Sequence, residues 1–159
     1  MAKIEVALAL GGNIGNVEET FKKALKLLEA GGLEIKKVAK NMLSEPEDCL
    51  PGTSVFFNSA LIGYWNKTPE HLLQLCKQIE VDCGRPKIHI QNSSRTLDID
   101  IITFGNLVYH TDKLIIPHPK ASKRFFVLKP LFEIKSDLIF PDTGAIVSEL
   151  YYKSQKQNS

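Results

Sequence analysis

Two aspartates interrupt an apolar segment in the second half of the chain, which reads RTLDIDIITFG over residues 95–105. Successive side chains of a strand alternate, so Asp98 and Asp100 share one face, with Cβ atoms about 7 Å apart. Carboxylates at this separation can hold one or two Mg²⁺ ions whose other ligands are water and phosphate oxygens. The pattern alone also fits an exposed strand face with two solvated aspartates.

Basic residues lie on both sides of this segment. They are Arg85, Lys87 and Arg95 before it, and Lys113, His118, Lys120, Lys123 and Arg124 after it. Any one of them alone is most often a solvated surface charge, so it is the clustering that carries the prediction. Arginine binds phosphate oxygens at two points, and metal ions neutralise further phosphate charge. Phosphoryl-type transfer depends mainly on positioning and charge, so such a site needs no covalent nucleophile.

Two pairs of phenylalanines add a possible ring-binding feature. Asn58 follows Phe56 and Phe57 and can read the edge of a heterocycle with its amide. Phe56 and Phe126 could stack on either side of a flat ring, although core packing explains them equally well. For Phe57 and Phe125 we favour core packing.

The order of the predicted elements is β-α-β-β-α-β. The strands are predicted at 4–10, around 33–43, at 55–65 and at about 96–104. Asn16 should cap the first helix and Thr68 the second, with Pro69 in its first turn. This order predicts an α+β, ferredoxin-like fold, an antiparallel sheet with helices packed on it. A C-terminal extension follows, with a short strand at LVYH, a proline-punctuated segment and a last helix around 145–152; residues 153–159 are predicted to be a disordered tail.

Length and composition predict one domain over residues 1–159. The formal net charge of +2 is too small to indicate nucleic-acid binding by itself. The three cysteines lack a CxxC pattern and are interpreted as reduced thiols, which suits a cytoplasmic protein. No apolar run approaches the roughly 20 residues of a membrane span.

Several blocks together resemble the 6-hydroxymethyl-7,8-dihydropterin pyrophosphokinase family of folate biosynthesis. They read LALGGNIGN, FFNSA, IEVDCGRPK, RTLDIDIITFG and IPHPKASKRFFVLKPLFEI, in the order of the family and from about residue 4 to 142. The resemblance implies transfer of diphosphate from ATP, as co-substrate, to the hydroxymethyl group of the dihydropterin, with release of AMP and with two Mg²⁺ ions.

The resemblance also implies roles for individual residues. Asp98 and Asp100 would bind the metal ions, and Arg85 and Arg95 would be the catalytic arginines. Asn58 would hydrogen-bond the pterin, with Phe56 and Phe126 on the two faces of its ring. Residues matching the ATP-binding positions are Glu80, Lys87, Lys113, His118 and Arg124.

The chain departs from the family pattern in three places. An arginine-tryptophan-glycine-proline run is replaced by Gln91-Asn92-Ser93-Ser94, which predicts a weaker lid over the bound substrates. Lys87 and Lys113 stand where arginine is common, so charge is kept without the planar fork. The early tyrosine-x-threonine-x-proline motif is replaced within residues 41–46.

Two other functions are considered. A catalytically impaired paralogue could bind pterin or nucleotide without transfer, but retention of the paired aspartates and arginines argues against it. A ferredoxin-like nucleic-acid-binding module would carry surface aromatics and a basic face, and neither is found. We therefore expect small-molecule substrates, no nucleic acid, no membrane and a monomer.

Overall fold

The computed structural model describes residues 2–44, 56–84 and 96–158, with side chains up to residue 155. The elements are β1 (Ile4–Gly12), α1 (Val17–Ala30), β2 (Glu34–Val38), β3 (Met42–Ser44), β4 (Phe56–Trp65), α2 (Pro69–Asp82), β5 (Asp98–Phe104), β6 (Tyr109–His110), β7 (Ile115–Ile116), a 3₁₀ helix (Ala121–Lys123), α3 (Phe125–Lys135) and α4 (Val147–Asn158). In the described part of the chain, no helix is long and apolar enough to cross a membrane.

Both predicted helix caps are confirmed. The Asn16 side chain accepts a hydrogen bond from the backbone N–H of Glu19 at the start of α1. The Thr68 hydroxyl accepts one from the N–H of His71, and Pro69 occupies the first turn of α2, where its missing N–H costs nothing.

The main sheet has the order β2-β4-β1-β5, with β3 pairing beside β2 on β4, and every pairing is antiparallel. Together with α1 and α2 this is the predicted ferredoxin-like arrangement. β6 and β7 form a separate two-stranded hairpin, which contains the last two residues of the predicted LVYH strand.

Helices cover both faces of the sheet. On the first face, α1 and α2 bury the alternate residues of the strands, including Leu8, Leu61 and Ile99. On the second face, α3 and α4 cover Ala7, Ile62 and Ile102. The C-terminal extension is therefore a third layer of the domain.

Three parts of the chain differ from the prediction. The strand expected around 33–43 is two short strands, because the pairing with β4 shifts by one residue between Val38↔Leu61 and Met42↔Asn58. α4 continues to Asn158, so residues 153–158 are helical rather than disordered. Side chains of Ser154 and Gln155 hydrogen-bond back to Tyr151, which supports this last part of α4.

The helix α3 is the third difference, since the proline-punctuated segment predicted no element there. Pro130 lies inside α3 and is buried. Proline removes one helical hydrogen bond and is unfavourable within a helix, but Val127, Leu128 and Leu131 pack fully against the second face of the sheet. Tertiary packing thus overrides the local signal.

Candidate active site

The site lies on the second face of the sheet, beside the start of α3. Strand register aligns Asn58 of β4 with Gly11 of β1, and Gly11 with Asp98 of β5. The next row contains Ala60, Ala9 and Asp100. Two strand spacings separate the ends of each row, so Asn58 and Asp98 are about 10 Å apart.

The central strand contributes only small residues to this face. Gly11 and Ala9 are half-buried, whereas Leu8 and Leu10, which point to the other face, are buried. A Cβ atom added to Gly11 would lie 3.5 Å from Asn58 Oδ1, in ordinary van der Waals contact. The surface between the amide and the carboxylates is therefore a floor of backbone and one methyl group, without large side chains, which a flat molecule could cover.

Asp98 and Asp100 lie on this face, as strand alternation predicted, and the strand is apolar where the helices cover it, at Ile102. Burial raises the pKa of the Asp100 carboxyl; the nearby charge of His118 opposes this rise and that of Asp98 adds to it. Burial disfavours the charged form of this carboxyl group. A neighbouring cation would stabilise that charged form.

His118 follows β7 in the chain, and its charge and that of Asp100 influence each other. Its backbone N–H donates to the carbonyl oxygen of Ile102 at 3.0 Å, which attaches this segment to β5. The ring Nδ1 accepts a hydrogen bond from the backbone N–H of Lys120, so a neutral ring carries its proton on Nε2. Burial lowers the pKa of His118, and the charge of Asp100 opposes that decrease.

Glu80 lies behind the carboxylate strand rather than on an open surface. It is only 2% exposed, and its Oε2 accepts a hydrogen bond of 2.8 Å from the backbone N–H of Ile99. Ile99 stands between the two aspartates. The other carboxylate oxygen of Glu80, Oε1, is 3.5 Å from Nζ of Lys77, one turn earlier on α2. Glu80 therefore connects α2 to β5 at the centre of the Asp98-Ile99-Asp100 segment.

The start of α3 brings Arg124 and Phe126 to the same face of the sheet. The Arg124 guanidinium carbon lies 5.5 Å from the centroid of the Phe126 ring. Phe125 points instead toward α4, where its ring stacks on Tyr151 at 5.7 Å, which confirms its interpretation as a packing residue. Phe57 also packs in the first-face core, while strand alternation places Phe56 on the face of Asn58.

A surface cavity of about 770 Å³ opens between α2 and the turn of the β6–β7 hairpin. Lys113 and Lys77 both line it, together with apolar groups of Leu73 and Leu114. Burial raises the pKa of Asp100, and the charge of Lys77 is one of those that oppose this rise. No sequence pattern singled out Lys77, although its position three residues before Glu80 places both on one helix face.

The described residues contain no cluster of three or more histidine, cysteine, aspartate or glutamate side chains that could hold a metal ion alone. Two carboxylates on one strand face are nevertheless enough protein ligands for Mg²⁺, because this ion takes its other ligands from water and phosphate. Arg85, Lys87 and Arg95, predicted to bind phosphate, lie outside the described residues, as do the altered positions 91–94.

Comparison with known proteins identifies the family. Residues 7–136 match the family model described as 7,8-dihydro-6-hydroxymethylpterin-pyrophosphokinase (HPPK). The mitochondrial folate synthesis bifunctional protein of Arabidopsis thaliana is 38% identical over 89% of this chain, which spans only 25% of that relative. A 2-amino-4-hydroxy-6-hydroxymethyldihydropteridine pyrophosphokinase of Bacillus subtilis is 33% identical and is matched over 90% of its length by 96% of the chain.

Solved structures agree with the fold. The wild-type HPPK-DHPS of Plasmodium falciparum with pteroate superposes with a TM-score of 0.80 and 15% identity, over 98% of this chain and 45% of that protein. The first curated relatives are longer, and this chain spans about a quarter of their length or less. On the extent of the family match, the chain belongs to the 7,8-dihydro-6-hydroxymethylpterin-pyrophosphokinase family.

Proposed function

We propose that this protein transfers the diphosphoryl group of ATP to the hydroxymethyl group of 6-hydroxymethyl-7,8-dihydropterin, releasing AMP, in folate biosynthesis. The observation that carries the proposal is the row Asn58, Gly11 and Asp98 on one face of the sheet. It offers a polar group for a ring edge, a flat floor and a carboxylate pair in line. A bicyclic ring bound at Asn58 and lying over Gly11 would direct a substituent toward Asp98.

The ring would be held by three side chains. The Asn58 amide reads its edge, and Phe56 and Phe126 pack on its faces. Membership of the family supports these roles, and the placement of all three residues on the second face of the sheet is consistent with them. These contacts would hold the hydroxymethyl oxygen near the phosphate chain. Positioning of this kind supplies much of the rate enhancement in phosphoryl-type transfer.

The reaction needs negative charge to be stabilised as the phosphate chain is broken. The hydroxymethyl oxygen attacks the β-phosphorus, and the bond from this phosphorus to the α–β bridging oxygen breaks, so AMP leaves. Asp98 and Asp100 would hold Mg²⁺, two ions by the family resemblance, whose chemistry is to neutralise phosphate charge. His118 and Arg124 border Asp100 and would contact the phosphates, while Lys113 would contact the nucleotide at the α2 cavity.

Arg85 and Arg95 are proposed to clamp the transferred phosphates, and Lys87 to contact the nucleotide. These roles rest on the family resemblance. An arginine fork beside the bridging oxygen would stabilise the charge that develops on it. We further propose that the protein works as a monomer in the cytoplasm, which light scattering on a sizing column and subcellular fractionation would check.

The test is AMP release from Mg-ATP with and without the dihydropterin. It compares the parent with Asp98→Ala and Asp100→Ala, and uses Asp142→Ala, at an exposed position, as control. Pterin-dependent AMP that both site variants abolish and the control retains would support the transfer and the metal role. Pterin binding without AMP release by the parent, at any Mg²⁺ concentration, would contradict it and favour a binding protein.

A further inference from the structure

The orientation of the Asn58 amide is fixed from within the protein. Asn58 is 5% exposed, and its Nδ2 lies 2.7 Å from Ser44 Oγ and 3.5 Å from the carbonyl oxygen of Phe56. A serine hydroxyl can donate or accept, but a carbonyl oxygen can only accept. The atom that faces both groups must therefore be the amide nitrogen.

The other end of the amide points into the site. Asn58 Oδ1 lies toward Gly11, 3.5 Å from where a Cβ atom on that glycine would be. Since Gly11 is the centre of the row that ends at Asp98, the oxygen faces the floor on which we place the ring. With its N–H groups directed to β3 and β4, Asn58 offers the site an acceptor.

From these contacts we infer that Ser44 is a positioning residue that sets Asn58 as a hydrogen-bond acceptor and so selects a ring edge carrying an N–H donor. The inference rests on the proposed function and adds a specificity element to it. The pyrimidine edge of a 2-amino-4-oxo pterin offers such donors, N3–H and the 2-amino group. A ring that presented only acceptors there would face the amide oxygen unpaired.

Ser44 is well placed for this task. It ends β3 and is paired with Phe56, two residues before Asn58 on β4, so strand register holds the hydroxyl beside the amide. Without the hydroxyl, only the longer contact to the Phe56 carbonyl would remain. The amide would then rotate, and a fraction of molecules would present its N–H₂ group to the site.

The experiment compares Ser44→Ala with Ser44→Thr, which restores a hydroxyl, and with Leu43→Ala, a control at an exposed neighbour on the same short strand. We expect Ser44→Ala to raise KM for the dihydropterin about tenfold, the size of one hydrogen bond, with KM for ATP and kcat unchanged. Ser44→Thr should recover the parent KM, and Leu43→Ala should keep it.

A selectivity measurement separates orientation from general damage. Two analogues are compared with the substrate by kcat/KM, one lacking the 2-amino group and one methylated at N3. Discrimination against at least one of them should fall about tenfold in Ser44→Ala. Unchanged KM and unchanged discrimination in Ser44→Ala would overturn the inference, as would equal increases in KM for both substrates.

A readout without turnover keeps this inference distinct from the proposed function. In the parent, the Asn58 side-chain N–H₂ protons should exchange slowly with solvent by NMR, and in Ser44→Ala they should exchange at least tenfold faster. If the parent releases no pterin-dependent AMP, the proposed function fails while this exchange still tests the contact. Equal exchange in both proteins would refute the role of Ser44 whatever the activity.

Discussion

Replacement of Glu80 by alanine should destabilise the protein by about 2–4 kcal/mol. Its carboxylate is 2% exposed and accepts the N–H of Ile99 at 2.8 Å, on an edge strand to which the described residues add no further strand of the main sheet. Leaving a buried N–H without a partner costs about 1–3 kcal/mol, and each lost buried methylene adds about 0.8 kcal/mol. The pair with Lys77, whose side chain is 59% exposed, adds little.

Urea unfolding of the parent, Glu80→Ala and Glu80→Gln would measure this effect. The glutamine retains an acceptor for Ile99 and should lose about 1 kcal/mol, since a neutral acceptor forms a weaker hydrogen bond than a carboxylate. Glu29→Ala, an exposed glutamate of α1, should change the free energy of unfolding by less than about 0.5 kcal/mol. A value for Glu80→Ala that is equally small would refute the reasoning.

The same variants should differ in their need for Mg²⁺. Because Ile99 lies between Asp98 and Asp100, loss of its anchor should loosen their relative placement and raise the half-saturating Mg²⁺ concentration. Glu80→Gln should remain closer to the parent. An identical Mg²⁺ dependence in Glu80→Ala, in a protein that is still folded, would show that α2 does not position the carboxylates.

In Gly11→Val the new Cβ has room beside Asn58, but the side chain fills the floor of the site. KM for the dihydropterin should therefore rise more than tenfold with little change in Tm. An unchanged KM would mean that the ring binds elsewhere. Burial raises the pKa of the Cys76 thiol from 9.0 to about 12. Between these values the folded protein keeps the thiol proton and the unfolded chain loses it. The stability that this thiol contributes is therefore complete below pH 9 and is lost as pH rises toward 12. The free energy of unfolding should therefore fall more steeply in the parent than in Cys76→Ala over this range, by up to about 1.4 kcal/mol per pH unit, and parallel curves would count against it. Thr68→Ala removes the cap of α2 and should cost about 1 kcal/mol in urea unfolding, whereas no loss would mean that water caps the helix as well.

The ferredoxin-like unit was predictable because its signals are local and agree with one another. Asn16 and Thr68 mark helix starts, and the alternation around Asp98 identifies a strand with one polar end. The common face of Asp98 and Asp100 followed from strand geometry alone. That Asn58 lies in the row of Asp98 required the register of three strands, which no local pattern encodes.

Other parts depend on contacts distant in sequence. Ser44 was noted only as part of the altered motif at residues 41–46, and its contact with Asn58 depends on the strand paired beside it. Glu80 was interpreted from the family as a nucleotide ligand, and its bond to Ile99 could not be read from the helix pattern. The helix α3 contradicts the local preference of Pro130 and forms because a sheet face needs covering.

The position of Pro130 has a mechanical consequence for the site. A proline at this point cannot donate to the residue four positions earlier, and that residue is Phe126. The first turn of α3, which carries the aromatic ring, is therefore tied to the rest of the helix by one hydrogen bond fewer. The ring that we place on the pterin thus stands on a turn of α3 held by one hydrogen bond fewer than the rest of the helix, whose body stays packed on the sheet.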